Sequence, residues 1–326
     1  MTHDGIAFPL HSRGVTGEPR ELLVTAADGG RRLDVFLAER LALSRAEVRR
    51  LLARGRVRLD ERAASLSAKG TPLVAGTRVG VAAFSRPEER RVLAEPDAPL
   101  AVLAAGPGWL AADKPAGAPV HPFDEGERGS VLGAVIARHP ELHGVGEGGL
   151  RSGVVHRLDV DTSGVLLVAT EEAAWRRLRE AFARHRVEKL YRALVRGRME
   201  EAGAAEIPLV LGRHRPARVR VAAAGERGAR VVELAWRPLE CFAAVTLVEV
   251  RPRTGFLHQI RVALAHLGHP VLGDRVYADA ASAAAAPRQM LHAAELRFEE
   301  VTAASPDPPD LSALLEALRS RPRRGP

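Results

Sequence analysis

The sequence predicts an α+β chain in two parts: a small helix-turn-helix and hairpin domain, then a larger domain built on a mixed, largely antiparallel β-sheet. Three observations predict it. Residues 21–84 alternate strand-like runs with two short amphipathic helical stretches. Residues 99–302 repeat β-rich runs with only a few helical windows between them. Between the two lies SRPEERRVLAEPDA (85–98), Pro-bearing and charged, which reads as a linker. A chain of 326 residues has room for both parts at about 100–200 residues per domain.

Residues 1–20 have no sustained period and are expected to form a flexible tail. A short strand opens at Glu21, and the chain then turns helical with Leu33, Phe36, Leu37 and Leu41 on one face. Ser44 is a good N-cap for a second helix, Glu47 three residues later completes a capping box, and Gly55 closes it. VRLDERAA (57–64) and TRVGVAAF (77–84) read as strands. In the larger part the β-rich runs are 102–115, 153–158, 164–169, 190–197, 217–223, 229–240 and 243–252, with helices over 129–139, 171–186 and 257–267. Trp175, Leu178 and Phe182 have the spacing of a helix face turned to a core. GVGEGG (144–149) lacks the Gly-Lys-Ser/Thr ending of a phosphate-binding loop and reads as a surface loop. Residues 303–326 are expected to be a tail with one short amphipathic helix and a basic end.

Composition excludes several classes. Hydrophobic residues at 46% and charged residues at 27% exclude a wholly disordered chain. One cysteine excludes a disulfide framework and a Cys-based metal site. No apolar run reaches the roughly 18 residues of a spanning helix, and MTHDGIAFPLHSRG lacks the apolar core of a signal peptide. A soluble cytoplasmic protein, monomeric and away from membranes, is expected. The net charge of +8 points to a polyanionic partner, above all nucleic acid. The basic residues are nearly all Arg, with only three lysines: Lys69, Lys114 and Lys189. A chain that otherwise writes Arg marks these as places where an ammonium is wanted. Tyr191 and Tyr277 are its only tyrosines, Gln259 and Gln289 its only glutamines.

HRLDVDTSGVLLVAT (156–170) is the strongest chemical signal, a charged loop feeding a run fit for a buried strand. A calcium loop would use Asp159, Asp161, Ser163 and Gly164, but its twelfth position is Thr170 rather than a bidentate Glu. His266 and His269 have no third ligand of matching pattern, so no metal is expected.

HRLDVDTSGVLLVA resembles the signature of the RluA-type pseudouridine synthases. DKPAGAPVHP (113–122), the Lys-x-Tyr core within 182–197, RPRTGFLHQIRVALAHLGHPVLGD (251–274) and MLHAAELRF (290–298) resemble that family's other motifs, in order. The arginine-faced helix-turn-helix of 21–84 resembles an S4-like RNA-binding domain. The resemblance implies an RNA uridine isomerase with Asp159 as the catalytic carboxylate and Arg261 as its ion-pair partner. Tyr191 would stack on the uracil and handle a proton. No cofactor is implied, because the reaction is neither redox nor phosphate-driven. His156 and Arg157 would contact phosphate or hold the flipped nucleotide open. Lys114 and Lys189 would shape the pocket or meet RNA backbone, Thr162 is placed with the RNA-binding residues, and His258 and Gln259 would brace the motif at the substrate. Arg45, Arg49, Arg50 and Arg54 would meet RNA backbone. The implied partner is structured RNA, with large-subunit ribosomal RNA favoured over transfer RNA. Two positions depart from the pattern: Phe256 stands where the family has Arg, and Ala263 where it has His. They leave open a catalytically silent RNA-binding or ribosome-assembly protein, against which the intact Asp159, Tyr191 and Arg261 argue.

Overall fold

The computed structural model describes residues 17–214 and 217–320. Most of the expected N-terminal tail (1–16), residues 215–216 and the basic end 321–326 lie outside the described residues. The chain divides after Arg91 into two compact units.

The first unit runs β1 (Arg20–Leu23), α1 (Leu33–Leu41), α2 (Arg45–Ala53), β2 (Val57–Leu59), β3 (Arg62–Ala64) and β4 (Arg78–Val81), with its strands paired antiparallel in the order β1-β4-β2-β3. The apolar faces read from the sequence meet in one core: Leu33, Phe36, Leu37 and Leu41 pack with Val48, Leu51 and Leu52 over Val57, Val79 and Val81. Ser44 caps α2, its Oγ accepting the Glu47 N–H at 3.2 Å. The capping box is only half made, because the Glu47 carboxylate turns instead to Arg50, at 3.0 Å, and to Arg90. Gly55 adopts φ 64°, which lets the Arg56 N–H reach back to the Leu51 carbonyl at 2.9 Å and end the helix.

The second unit contains β5 (Ala101–Gly106), β6 (Trp109–Lys114), α3 (Val131–Arg138), β7 (Ser163–Ala169), α4 (Glu172–Ala183), β8 (Glu188–Arg196), β9 (Gly203–His214), β10 (Ala217–Val221), β11 (Arg230–Cys241), β12 (Val245–Pro252), α5 (Gln259–His266), α6 (Ala280–Ala284), β13 (Leu291–Phe298), β14 (Val301–Ala304) and α7 (Pro309–Arg319). One sheet takes the order β10-β9-β11-β12-β8-β13-β7-β6-β5, with β14 added to β13. Its pairings are antiparallel except β13 with β7, where His292 and Ala293 lie beside Ser163 and Gly164.

β7 reads as an unbroken apolar run because both its faces are covered. Leu166 and Val168 join Leu110, Ala112 and the α3 residues Leu132, Val135 and Ile136 on one side. Val165, Leu167 and Ala169 join Trp109, Ala111 and the α4 residues Leu178 and Ala181 on the other. A third cluster draws on β8, β9, β11 and β12 and is closed by Leu264 of α5 and by Leu311 and Leu315 of α7.

Three expectations need correction, and one strand goes unanticipated. Residues 153–158 are not a strand: beyond a single bridge from Val154 to Val168 they form a loop. There the Leu167 N–H is met by the His156 side chain, Nε2 accepting at 2.9 Å, in place of a partner strand's carbonyl. Residues 85–98 are not a free linker. Arg90 is buried against Glu47 in the first unit, whereas Val92 is buried with Leu110 and Ile136 in the second. Glu95 there accepts the Gly129 N–H at 2.9 and 3.1 Å. Residues 303–320 are not a tail, since Leu311, Leu315 and Leu318 are buried in the core and Arg288 grips Asp310 at 2.6 and 2.9 Å. Strand β9, rich in small residues and interrupted by Pro208, is not foreshadowed by the sequence pattern.

Gly164 sits where β13 approaches β7. Its φ is 112°, and a Cβ there would stand 2.1 Å from the Ala293 carbonyl oxygen. We predict that Gly164→Ala destabilises the protein by about 3 kcal/mol or more, since backbone strain and a backbone clash add. Urea unfolding followed by circular dichroism measures it, and a loss below about 1 kcal/mol would mean that β13 moves aside freely.

Candidate active site

The loop before β7 carries Asp159 and is tied down from three directions. Lys114, at the end of β6 and 0% exposed, spends its three protons on the carbonyls of Pro115, Val160 and Thr162 at 2.9, 2.7 and 2.8 Å. Burial pulls this ammonium down to about 8, against the opposing charges of Asp161 and Asp159. Thr162 is buried, its hydroxyl taking a bond from Gln289 at 2.9 Å. The Thr162 N–H closes a turn onto the Asp159 carbonyl at 3.1 Å. Lys114 and Thr162 therefore build the loop. Neither is exposed to meet RNA, which corrects the expectation for Thr162 and the backbone-contact alternative for Lys114.

Across from the loop, α5 presents Arg261. Its guanidinium gives Nε and Nη2 to the two oxygens of Asp274 at 2.7 and 2.8 Å, and Nη1 to Asp159 Oδ2 at 2.9 Å. The Asp274 side chain is 0% exposed, that of Arg261 6% and that of Asp159 19%. Asp274 also accepts the N–H groups of Val276 and Tyr277 at 2.9 and 3.1 Å. Burial works against the charge on both Arg261 and Asp274, but their mutual bonds outweigh it: the cation is pushed up and the Asp274 carboxyl held down. The Tyr277 ring lies 5.0 Å from the guanidinium carbon, face toward the cation. Held in this way, Arg261 has one Nη left to aim at Asp159.

His258 precedes α5 in a left-handed backbone conformation, φ 53°, unusual for a residue with a Cβ. Its Nε2 stands 3.8 Å from Asp159 Oδ1, and its Nδ1 2.7 Å from the Tyr277 hydroxyl. Burial lowers its pKa, Asp159 opposing and Arg261 assisting. The turn that sets it is braced by Gln259, which accepts from the Phe256 N–H at 2.7 Å and the Thr254 hydroxyl at 3.0 Å and donates to the Thr254 carbonyl at 3.1 Å. Lys189 adds a bond to that carbonyl at 2.7 Å, and burial draws its ammonium to about 8. Gln259 and Lys189 thus hold the turn from behind, and Gln259 is buried.

Tyr191 lies on β8 between Val250 of β12 and Ala293 of β13. Burial first, and then the Asp159 charge, push its phenol up, so it stays protonated at neutral pH and can stack or donate. His156 stacks on Phe182 with ring centroids 4.6 Å apart, and burial holds it near 3. A neutral imidazole whose Nε2 already accepts a backbone N–H offers no cation to a phosphate, which corrects that expectation. Arg157 is exposed, and its charge is felt at both His258 and His121. Phe256 packs against the core where a cation was expected, and Ala263 is fully buried in α5.

On the first unit, Arg45 bonds the buried Asp34 at 2.8 Å and joins α2 to α1. Arg32 and Arg45 together hold the Asp34 carboxyl at about 2. Arg50 pairs with Glu47 at 3.0 Å, while Arg49 and Arg54 are exposed. Sequence reasoning misses two residues of the site. Asp274 is visible there only as the end of a Gly-Asp pair, and Tyr277 reads as structural.

Comparison with known proteins places this geometry. The RNA pseudouridylate synthase family profile matches residues 108–266, and the S4 domain profile residues 31–68. A Chloroflexus aurantiacus protein named as an uncharacterized RNA pseudouridine synthase is 38% identical over 93% of this chain and 95% of its own. The ribosomal large subunit pseudouridine synthase D of Nitrosomonas europaea is 35% identical over 93% of this chain and 88% of its own, and that of Xanthomonas campestris 35% over 92% of each. The solved structure of human RNA pseudouridylate synthase domain containing 1 superposes with a TM-score of 0.54 at 27% identity, covering 71% of this chain and all of that one. Relatives matched over nearly their whole length leave one conclusion: the chain belongs to the RluA-type RNA pseudouridine synthases, enzymes that isomerise uridine in RNA, and it carries an S4 domain ahead of its synthase domain.

Proposed function

We propose that this synthase acts on uridines of large-subunit ribosomal RNA, and that Asp159 is its reacting carboxylate. The observation that carries the mechanism is the Arg261 bridge, which aims a partly exposed carboxylate from a bed of buried, fully bonded groups. The bridge fixes one oxygen of Asp159 and leaves the other outside the ion pair, with Tyr191 close enough to feel its charge. The ribosomal target is supported by the names of the Nitrosomonas and Xanthomonas relatives and by the S4 domain with its exposed arginines.

The chemistry asks for little else. The N1–C1′ bond of uridine breaks, the uracil turns, and a C5–C1′ bond forms while C5 loses its proton and N1 gains one. Product and substrate have the same composition, so no oxidant or energy donor enters. Asp159 supplies the carboxylate that attacks base or sugar. Tyr191 stacks on the turning uracil, with its phenol available as a donor. A uridine inside a stacked helix is out of reach and must swing out, at a cost of a few kcal/mol. Arg157, exposed two residues before Asp159, supplies a guanidinium for the displaced backbone. Arg49 and Arg54 extend the basic surface of the S4 domain to phosphates.

Three outcomes test this reading. Asp159→Asn should cut single-turnover pseudouridine formation at least about a thousandfold while RNA affinity stays within about threefold, because the carboxylate and the groups that hold the RNA backbone are separate. Retained turnover would remove Asp159 from the mechanism. Pseudouridine mapping of total RNA with and without the gene should lose signals in large-subunit ribosomal RNA; losses confined to transfer RNA would move the target there. Arg49→Gln with Arg54→Gln should weaken binding and flatten its salt dependence by about one unit of slope for each phosphate no longer neutralised. An unchanged slope would exclude this face.

A further inference from the structure

The Tyr277 hydroxyl stands between two partners. It accepts the Val219 N–H, from β10, at 3.0 Å, and it meets His258 Nδ1 at 2.7 Å. A phenol has one proton to donate. Among the described residues the acceptor for that proton is His258 Nδ1. The imidazole proton then sits on Nε2, the nitrogen 3.8 Å from Asp159 Oδ1. The opposite tautomer would strand the phenolic proton and point the Nε2 lone pair at a carboxylate. Tyr277 is half-buried, so the unmet proton costs less than the roughly 1–3 kcal/mol of a fully buried donor, but the lone pair facing Asp159 adds to that cost and the first arrangement prevails.

We infer that Tyr277 is a positioning residue that fixes His258 as an Nε2–H donor, so that Asp159 is flanked by one donor on each oxygen, Arg261 on Oδ2 and His258 on Oδ1. This inference rests on Asp159 being the reacting carboxylate and deepens that reading. A shift of about 1 Å brings Nε2–H into hydrogen-bond range. Two donors from opposite sides define the plane of the carboxylate, which a single ion pair does not. The Tyr277 hydroxyl has a second effect, because protonating Nδ1 would reverse its bond to the phenol and strand the phenolic proton. A doubly protonated imidazole beside Asp159 would pair with it as a full cation and blunt it as a nucleophile. The charged and titratable groups that act on His258 are Asp159, Asp274, Arg261 and Arg157, with Tyr277 in direct contact. The two arginines and burial keep it neutral, and the two carboxylates oppose them. The left-handed backbone at His258 is strain that the fold retains at this position.

The test uses the full chain and RNA extracted from a host lacking the gene, which carries every target uridine unmodified. Single-turnover rates are measured from about pH 5.5 to about pH 9 for wild type and Tyr277→Phe, a change that keeps the ring against Arg261. Tyr277→Phe should bind RNA within about twofold of wild type. It should lose about three- to five-fold in rate near pH 6 and recover most of it above pH 8, its acid limb moving up by about one unit as Nδ1 becomes free to protonate. His258→Gln keeps an N–H donor without a titrating ring, so it should outperform His258→Ala and show no such limb. A Tyr277→Phe profile that overlies wild type, or a loss equal at every pH, would overturn the inference. Asp159→Asn separates the two levels. If it is inactive while the Tyr277→Phe profile is unmoved, the inference alone falls; if it retains turnover, the reading beneath falls too.

Discussion

The guanidinium of Arg261 spans two carboxylates of different character. Asp274 is sealed from solvent and binds two of its nitrogens, and Asp159 is partly exposed and receives a third. A buried ion pair is a poor source of net stability, because desolvation consumes most of the attraction. Its value here is geometric. Removing Asp274 would leave a buried cation with a freely chosen direction, and the direction is what Asp159 depends on. The backbone N–H groups of Val276 and Tyr277 bond the same carboxylate, so the anchor is itself anchored. Bond by bond, Asp159 is the least constrained member of a chain of constrained ones.

The sheet serves the same end from the other side. The loop that carries Asp159 enters β7 beside β13, the one parallel pairing among the described strands. Ser163 bonds His292 at 3.0 Å, Thr162 bonds Gln289, and Gly164 lets the two backbones close on each other. Lys114 collects two carbonyls of the turn and that of Pro115 with one ammonium. An ammonium carries one proton for each of these carbonyls on a single compact nitrogen, which suits a lysine in a chain that writes arginine almost everywhere else.

Much of this is legible in the sequence. Strand β7 announces itself because a strand covered on both faces needs no alternation, and α1, α2, α4 and α5 because their apolar positions recur with helical period. The pairing of Asp159 with Arg261 comes from motif resemblance, since no local rule joins positions 102 apart. What stays hidden has physical causes. His156 looks like a cation for phosphate because burial and its backbone bond are tertiary facts. The carbonyls that Lys114 and Lys189 bond, and the burial of Thr162, are tertiary facts of the same kind. Residues 153–158 carry the apolar pattern of a strand, yet a side chain satisfies the neighbouring N–H and frees the backbone to turn. The helix over 309–319 is visible, but its burial in the core it shares with β8 and β12 cannot be read from its own amphipathicity.

The parallel junction also orders events in time. Ser163 and the partner that fixes it, His292, are separated by 129 residues. Pairings of that span are slow to form, because the loop between them must close before any of them rewards it. A ribosome releases Asp159 long before it releases β13, and α7 emerges later still. The first unit, with a core of its own, is complete in sequence when nothing of the second has been made. During its synthesis the chain thus passes through a stage in which its RNA-binding module can fold while the carboxylate downstream has no fixed direction. The bed beneath Asp159 is complete only once β13 and α7 have arrived.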